Sequence, residues 1–406
     1  MNQTCVVVGA SHAAVQFVTS LRQCGWQGRI QLLGEEPQLP YHRPSLSKEF
    51  LAGTKKLEEI YLRPAAVYEK AGVELILNTR VESIAVDAKK LTLSNGEDLY
   101  FDKLALTVGA RARRIDLPGA DLEGVHYLRN IRDVEGIKPY IKPGGRAVIV
   151  GGGYIGLETA AVLKRRGMEV TVLEMQERVL QRVTAPEVSE FYTRIHGEAG
   201  VVIRRGTTVA GFEGTDRVRG VRCGDGEVHG ADLVIIGVGI VPNTELAQEA
   251  GLEVDNGIIV DACARTGHPD IVAAGDCTRY HNIFYDRWIR LESVQNANDQ
   301  ARVAAAAVCG TEIVYDALPW FWSDQYDLKL QIAGLSQDYD ELVVRGDRET
   351  GRSFAAFYLR EGAVIAVDAV NRAPEFMLGK RLIVERTGVD KGRLADDGVP
   401  IRDILK

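Results

Sequence analysis

The chain is poor in cysteine, and its cysteines are not spaced as redox pairs. Six occur among the 406 residues, and no two of them form a Cys-x-x-Cys or Cys-x4-Cys arrangement. We therefore expect reduced, mostly buried thiols and no bound metal. A length of 406 residues corresponds to two or three domains at about 150 residues each, which excludes a small scaffold held together by cross-links.

Long apolar runs and basic clusters are also missing. No apolar stretch approaches the roughly 18 residues that span a bilayer, so no membrane segment is expected. Acidic residues outnumber basic ones by 56 to 49, and no Lys/Arg run interleaved with aromatics occurs, which argues against nucleic acid as a partner. The N-terminus shows no basic segment, hydrophobic segment and cleavage site in series, so the expected location is the cytoplasm.

Glycine is abundant, with 42 residues, and many glycines stand where a strand gives way to a helix. One strand, glycine turn, helix and strand unit occurs twice, about 140 residues apart. The first copy has predicted strands at Cys5–Val8 and Arg29–Leu33; the second has strands at Arg146–Val150 and Glu169–Leu173 with a helix over Leu157–Arg166. Two such units predict two doubly wound, Rossmann-like dinucleotide-binding domains.

The second copy carries a full G-x-G-x-x-G motif from Gly151 to Gly156. Gly151 permits the tight turn, Gly153 lets the backbone approach a pyrophosphate, and Gly156 permits close packing of helix on strand. Glu174 follows the next strand, where an acid accepts hydrogen bonds from a ribose 2'-hydroxyl and repels a 2'-phosphate. The motif therefore predicts an NADH site. Its predicted residues are Gly151, Gly153, Tyr154, Ile155, Gly156 and Glu174, and Gly239 is predicted with them.

The first copy departs from this fingerprint because Ser11 and Ala14 replace the second and third glycines that follow Gly9. Serine and alanine are the smallest replacements, and Glu35 again follows the next strand, so this unit is also predicted to hold a dinucleotide. Two dinucleotides in one chain indicate a flavoenzyme in which NADH delivers a hydride to FAD. Asp276, after an apolar strand, is a candidate for binding the ribityl chain, or a turn residue that caps the next segment.

The last part of the chain has a different sequence pattern. Its segments are shorter, with predicted strands at Glu341–Val344, Ser353–Tyr358 and Val364–Val367 and a helix near Pro374–Ile383. We expect a smaller α+β domain here. The predicted division is an FAD domain at 1–110 and 239–315, an NADH domain at 111–238, and a C-terminal domain at 316–406.

Six motifs in the same order resemble those of the FAD- and NADH-dependent reductases that serve [2Fe-2S] ferredoxins, whose fold is glutathione-reductase-like. The motifs are Gly9–Ala14, Pro40–Lys48, Gly151–Glu158, Ala273–Asp276, Glu292–Ala297 and Pro319–Gln325. The resemblance covers nearly the whole chain. It implies FAD contacts at Gly9, Ser11, Ala13, Ala14, Glu35, Lys48, Val81, Arg129, Asp276, Val294 and Trp320.

The resemblance also implies roles in electron transfer. Lys48 and Glu158 match a pair beside flavin N5, where it orients the nicotinamide, and Trp322 matches an aromatic residue near the path to the ferredoxin. The partner implied is a [2Fe-2S] ferredoxin that feeds a cytochrome P450 or a Rieske dioxygenase. An acidic ferredoxin would need a basic rim, for which the candidates are Arg290, Arg302, Lys380 and Arg381.

Relatives that reduce disulfides or peroxides carry one or two cysteines near the position of Leu39–Lys48, and this chain has none there. Electrons are therefore expected to leave FAD singly, for an external carrier. Three alternatives stay open: an NADH oxidase, an NADH-sensing flavoprotein resembling apoptosis-inducing factor, and a reductase of the same fold that serves rubredoxin. Since no obligate interface is evident, we expect a monomer or weak dimer.

Overall fold

A computed structural model describes residues 3–386 and 388–404. The α-helices of these residues are α1 His12–Gln23, α2 Glu49–Ala52, α3 Ala65–Lys70, α4 Ile131–Ile137, α5 Tyr154–Arg165, α6 Pro186–Glu198, α7 Glu245–Glu249, α8 Val294–Val308, α9 Ala373–Glu385 and α10 Lys391–Ala395. Short 3-10 helices lie at Arg43–Ser47, Leu57–Ile60, Lys138–Tyr140 and Ile401–Asp403.

The strands of the described residues are β1 Thr4–Val8, β2 Arg29–Leu33, β3 Val73–Ile76, β4 Val81–Ala85, β5 Lys90–Leu93, β6 Asp98–Tyr100, β7 Lys103–Leu106, β8 Ala110–Ala112, β9 Val125–Tyr127, β10 Arg146–Val150, β11 Glu169–Leu173, β12 Val202–Arg204, β13 Val209–Gly214, β14 Val218–Cys223, β15 Val228–Gly230, β16 Leu233–Ile236, β17 Ile240–Pro242, β18 Ile258–Ile259, β19 Ile271–Ala273, β20 Thr278–Asn282, β21 Arg287–Ile289, β22 Trp320–Gln325, β23 Leu328–Gly334, β24 Glu341–Asp347, β25 Ser353–Arg360 and β26 Ala363–Val370.

The chain forms two compact units. The first comprises Met1–Arg43, Leu57–Arg111 and Ile240–Pro319. Its centre is a parallel sheet in the order β19-β7-β1-β2-β3. The strand β1 is a continuous apolar run because both faces of such a sheet are covered, and α1 and α8 pack against each other in the same core.

The second unit comprises Pro44–Lys56, Ala112–Gly239 and Trp320–Lys406. It contains a parallel sheet in the order β12-β11-β10-β16-β9, with α5 following β10. It also contains an antiparallel sheet in the order β22-β23-β26-β25-β24, against which α9 packs. Two doubly wound sheets and a C-terminal α+β segment confirm the predicted fold class.

The strands β2, β10 and β11 have the bounds that the sequence predicts. The helix α5 differs, since it begins at Tyr154 rather than at Leu157. Gly153 is its N-cap residue in an extended conformation, so the turn is only Gly151 to Gly153 and the last three residues of the motif are helical. The small sheets β4-β5-β6 and β13-β14-β15 are short and rich in exposed polar residues, and the periodicity of the sequence does not reveal them.

Two helical glycines supply a test of the packing of α9 on β26. A Cβ at Gly379 would lie 2.3 Å from Cγ1 of Val367, whereas a Cβ at Gly197 in α6 would meet nothing within 4 Å. We expect Gly379→Ala to lower the melting temperature by several degrees, because overpacking costs about 1–3 kcal/mol. The control Gly197→Ala should leave it unchanged or raise it, since alanine favours helix by about 1 kcal/mol over glycine. Circular dichroism measures both, and a Gly379→Ala variant as stable as wild type would contradict the packing argument.

Candidate functional site

The three motif glycines of the second unit occupy three different environments. Gly151 has a φ of +108°, and a Cβ there would lie 2.4 Å from the carbonyl oxygen of Gly237. A Cβ at Gly156 would lie 2.1 Å from the carbonyl oxygen of Gly151, whereas a Cβ at Gly153 would meet nothing within 4 Å. Gly151 and Gly156 thus require glycine for the fold, while Gly153 leaves open space at the start of α5. A helix N-terminus beside open space fits the pyrophosphate of a dinucleotide.

Glu174 follows β11 and is fixed against the glycine loop. Its Oε2 accepts a hydrogen bond of 2.6 Å from the backbone N–H of Gly152, and its Oε1 accepts one of 2.8 Å from that of Gln176. Nearby Arg178 donates to the carbonyl oxygens of Thr184 and Gln181 and to the hydroxyl of Ser189. This guanidinium is committed to the protein, which leaves the carboxylate of Glu174 beside the glycine loop, a position that fits a ribose hydroxyl.

Three further residues predicted for NADH flank the loop. Ile155 is 44% exposed although it is apolar, whereas the hydroxyl of Tyr154 is buried. Gly239 is exposed and has a φ of +100°, a conformation that favours glycine. Met175, next to Glu174, is 64% exposed, and sequence reasoning did not single it out. An exposed methionine gives no distinct signal in a sequence.

A buried carboxylate lies on α5, four residues after the start of the helix. Glu158 is 2% exposed, and its Oε2 lies 2.8 Å from Nζ of Lys48, whose side chain is 14% exposed. The hydroxyl of Ser47 donates to the same Oε2 at 2.5 Å, and that of Ser323 donates to Oε1 at 2.7 Å. The structure thus brings the predicted pair Lys48 and Glu158 together, and it adds two serine donors that sequence reasoning missed.

The first unit repeats the glycine turn. Gly9 has a φ of +101°, and a Cβ there would lie 2.3 Å from the carbonyl oxygen of Thr107. Ser11 is the N-cap residue of α1, and the following Ala13 and Ala14 are buried. The small residues that replace the second and third glycines therefore still permit a close helix start, which fits a second dinucleotide.

Arg43 is a residue of this loop region that sequence reasoning did not single out, although it stands within the Pro40–Lys48 motif. Its Nε donates to the hydroxyl of Ser11 at 3.2 Å, and its Nη2 lies 2.6 Å from Oε1 of Glu36. Burial lowers the pKa of Arg43, but Tyr41, Glu36 and Asp276 outweigh burial and raise the pKa above its usual value. A firmly charged guanidinium beside the N-cap of α1 fits the pyrophosphate of FAD.

The remaining residues predicted for FAD are divided between the two units. Glu35 is 71% exposed in the first unit and lies 3.5 Å from Arg80. Asp276 follows β19, Val294 is the first residue of α8, and Val81 is the buried first residue of β4. Lys48, Arg129 and Trp320 lie in the second unit.

The predicted aromatic and basic residues differ in their exposure to solvent. Trp320 and Trp322 are half-buried on β22 with ring centroids 5.7 Å apart, and Nζ of Lys380 lies 5.9 Å from the Trp320 ring. Arg302 and Arg381 are exposed and paired with Asp299 and Glu385. The prediction for Arg290 as a surface charge is wrong: its side chain is 13% exposed and pairs with Glu292 at 2.7 Å.

Between residues 3 and 404, Thr387 excepted, no helix is long and apolar enough to cross a membrane. The same residues contain no group of three or more His, Cys, Asp and Glu side chains that could hold a metal ion.

Two glycine-loop sheets and a buried Lys–Glu pair define a dinucleotide-dependent oxidoreductase. The chain belongs to the pyridine nucleotide-disulphide oxidoreductase family, whose model matches residues 3–301, and a reductase C-terminal model matches residues 320–405.

Named relatives share the whole length of the chain. Putidaredoxin reductase CamA of Pseudomonas putida is 45% identical, with 100% of this chain and 97% of that protein covered. The ferredoxin--NAD(+) reductase component of the anthranilate 1,2-dioxygenase system of Burkholderia cepacia is 39% identical, with 98% of each covered. Among solved structures, the covalent putidaredoxin reductase–putidaredoxin complex matches with a TM-score of 0.96 at 44% identity, covering 100% of this chain and 98% of that one.

The open space at Gly153 leads to a test of the loop. Gly153 has a φ of −79° and a ψ of −178°, which alanine also adopts. We expect Gly153→Ala to keep the wild-type melting temperature but to weaken NADH binding at least tenfold, about 1.4 kcal/mol, because the methyl group occupies the path of the pyrophosphate. Titration of the protein with NADH under anaerobic conditions measures this, with Gly197→Ala as the control. Unchanged affinity would show that the pyrophosphate does not lie against Gly153.

Proposed function

We propose that the chain is an NADH-dependent flavoprotein reductase that passes electrons one at a time to a [2Fe-2S] ferredoxin, which serves a cytochrome P450 or a Rieske dioxygenase. The observation that carries the proposal is the buried Lys48–Glu158 pair in a chain whose Leu39–Lys48 segment has no cysteine. Its relatives include putidaredoxin reductase and the ferredoxin--NAD(+) reductase component of an anthranilate 1,2-dioxygenase system.

FAD and NADH are the cofactors, and the two glycine loops fit them. When bound, FAD would supply an acceptor for the hydride of NADH and a donor of single electrons to the carrier. For FAD, the proposed contacts in the first unit are Gly9, Ser11, Ala13, Ala14, Glu35, Arg43, Val81, Asp276 and Val294. Those in the second unit are Lys48, Arg129 and Trp320.

The residues of the second unit bind and orient NADH. The backbone at Gly153 and the N-terminus of α5 receive the pyrophosphate, and Glu174 accepts hydrogen bonds from the adenosine ribose. Lys48 and Glu158 hold the nicotinamide in the orientation that transfer needs, in a site from which water is excluded. Neither forms a covalent bond with the substrate.

The domain division proposed for this activity is an FAD domain at 1–110 and 239–315, an NADH domain at 111–238 and a C-terminal domain at 316–406. The three large sheets support it, since each lies within one of these stretches or, for the first, within the two FAD segments. Trp322 and Trp320 on β22 are the residues proposed to lie beside the electron path. Arg302, Lys380 and Arg381 are proposed to receive an acidic ferredoxin.

We further propose that the protein works in the cytoplasm as a monomer or weak dimer. All six cysteines are free thiols, and Cys24 is exposed. Free thiols of this kind are typical of a reducing compartment.

The experiment that tests the function follows NADH-driven reduction of a panel of [2Fe-2S] ferredoxins under anaerobic conditions, with oxygen consumption measured in parallel without ferredoxin. We expect rapid ferredoxin reduction and slow oxygen consumption. Fast oxygen consumption with no ferredoxin reduced would favour an NADH oxidase. A long-lived reduced complex with NAD and a change of assembly state, without reduction of any carrier, would favour a sensing protein.

The choice of NADH over NADPH is a separate test. We expect Glu174→Ala to lower the preference for NADH roughly tenfold in kcat/KM, because the variant loses the ribose acceptor and the repulsion of a 2'-phosphate. The control Glu169→Ala removes the same charge at the opposite end of β11. Equal selectivity of the Glu174→Ala and Glu169→Ala variants would contradict the role of Glu174.

A further inference from the structure

A chain of hydrogen bonds runs through the interior of the second unit and ends on the carboxylate of Glu158. The hydroxyl of Tyr326 lies 3.1 Å from Nδ1 of His196, and Nε2 of His196 lies 2.9 Å from Oε1 of Gln325. Nε2 of Gln325 donates to the hydroxyl of Ser323 at 3.2 Å, and Ser323 donates to Oε1 of Glu158 at 2.7 Å. Three elements therefore contribute to one network: α5, α6 and β22 with the turn that follows it.

Four side chains of the network are buried away from water, so each depends on its neighbours for hydrogen bonds. His196 and Ser323 are 0% exposed, Gln325 1% and Glu158 2%. A buried polar group that loses its partner costs about 1–3 kcal/mol. Removal of one link thus leaves an unpaired atom on each side of it.

The Glu158 carboxylate at the end of this chain of hydrogen bonds determines which group donates in each bond. A carboxylate accepts and does not donate, so Ser323 must give its proton to Glu158 and use its oxygen to accept from the amide of Gln325. Gln325 then presents its Oε1 to His196, which must carry a proton on Nε2 and accept from Tyr326 at Nδ1. Burial lowers the pKa of His196 to about 4, and the ring is accordingly neutral at pH 7.

We propose that His196 is a positioning residue for Glu158, acting through Gln325 and Ser323. In this arrangement Ser323 holds Oε1 of Glu158 while Lys48 and Ser47 hold Oε2. The plane of the carboxylate, and with it the place of the Lys48 ammonium, is fixed from both sides. The proposal rests on the function proposed above, in which Lys48 and Glu158 orient the nicotinamide.

The experiment compares variants of the holoprotein by stopped-flow reduction with NADH in the absence of oxygen. His196→Phe keeps a ring but removes the donor to Gln325, and His196→Gln keeps a donor at about the position of Nε2. The control is Tyr192→Phe on the same helix, which removes a buried hydroxyl that has no hydrogen-bond partner among the described residues. Ser323→Ala and the double variant His196→Phe/Ser323→Ala complete a double-mutant cycle.

We expect His196→Phe to lower the limiting rate of reduction roughly tenfold while the Kd for NADH changes less than twofold, because ground-state contacts to the dinucleotide are intact. His196→Gln should recover most of the rate, and Tyr192→Phe should react as wild type. The double variant should be no slower than Ser323→Ala alone, since both substitutions interrupt one chain. A wild-type limiting rate in His196→Phe, or independent effects that multiply in the double variant, would overturn the proposal.

A second readout does not depend on turnover. Selective ¹⁵N labelling of the seven histidines shows by NMR which nitrogen of His196 carries the proton. We expect the neutral Nε2–H form from pH 5 to pH 8 in the wild type; a proton on Nδ1, or a charged ring in this range, would overturn the chain even if His196→Phe fails to fold. Wild-type protein that NADH does not reduce would instead overturn the proposed function, while the NMR result would still report on the chain.

Discussion

The burial of the Glu158 carboxylate is the constraint around which the second unit is arranged. A charge that is taken out of water costs several kcal/mol unless it is paired and its remaining lone pairs accept hydrogen bonds. Here an ammonium and two hydroxyls meet these needs, and they come from segments 111 and 165 residues away along the chain. The segment before α2 and the strand β22 must therefore both fold against α5 before the charge is stabilised.

The position of α5 follows in turn from its glycine loop. Gly156 lets the first turn of the helix lie against the backbone of Gly151, where any Cβ would collide at 2.1 Å. This close approach fixes the direction of the helix, so that the same element presents its N-terminus at the loop and Glu158 one turn further on. Under the proposed function, binding of the pyrophosphate and orientation of the nicotinamide would be coupled through this one helix, which positions groups more precisely than loops do.

The sequence contained enough to predict the parallel strands and both glycine turns, because strands buried on both faces are plain apolar runs and a tight turn needs glycine. It also predicted that Lys48 and Glu158 belong together, but only through a resemblance. It did not reveal Ser47, Ser323 or His196, since serine and histidine are common in many settings and these contacts join residues that are far apart in the chain. The prediction for Arg290 was wrong for a related reason: a charged residue type alone does not show whether the side chain reaches solvent.

The two dinucleotide loops show how one local geometry accepts different ligands. Both turns use a glycine with φ near +100° whose Cβ would collide with the carbonyl of the residue that directly follows another strand. They differ in the charge that lies near the loop. In the second unit, Glu174 accepts hydrogen bonds from backbone N–H groups of its own loop region. In the first unit, Arg43 donates a hydrogen bond to the N-cap residue Ser11 and forms an ion pair with Glu36. Under the proposed function, the acid of the second unit would meet a free ribose hydroxyl and the guanidinium of the first unit would meet phosphate. The small side chains at Ser11 and Ala14 still allow a close start of α1, and the attraction of Arg43 for phosphate would add to that of the backbone N–H groups there.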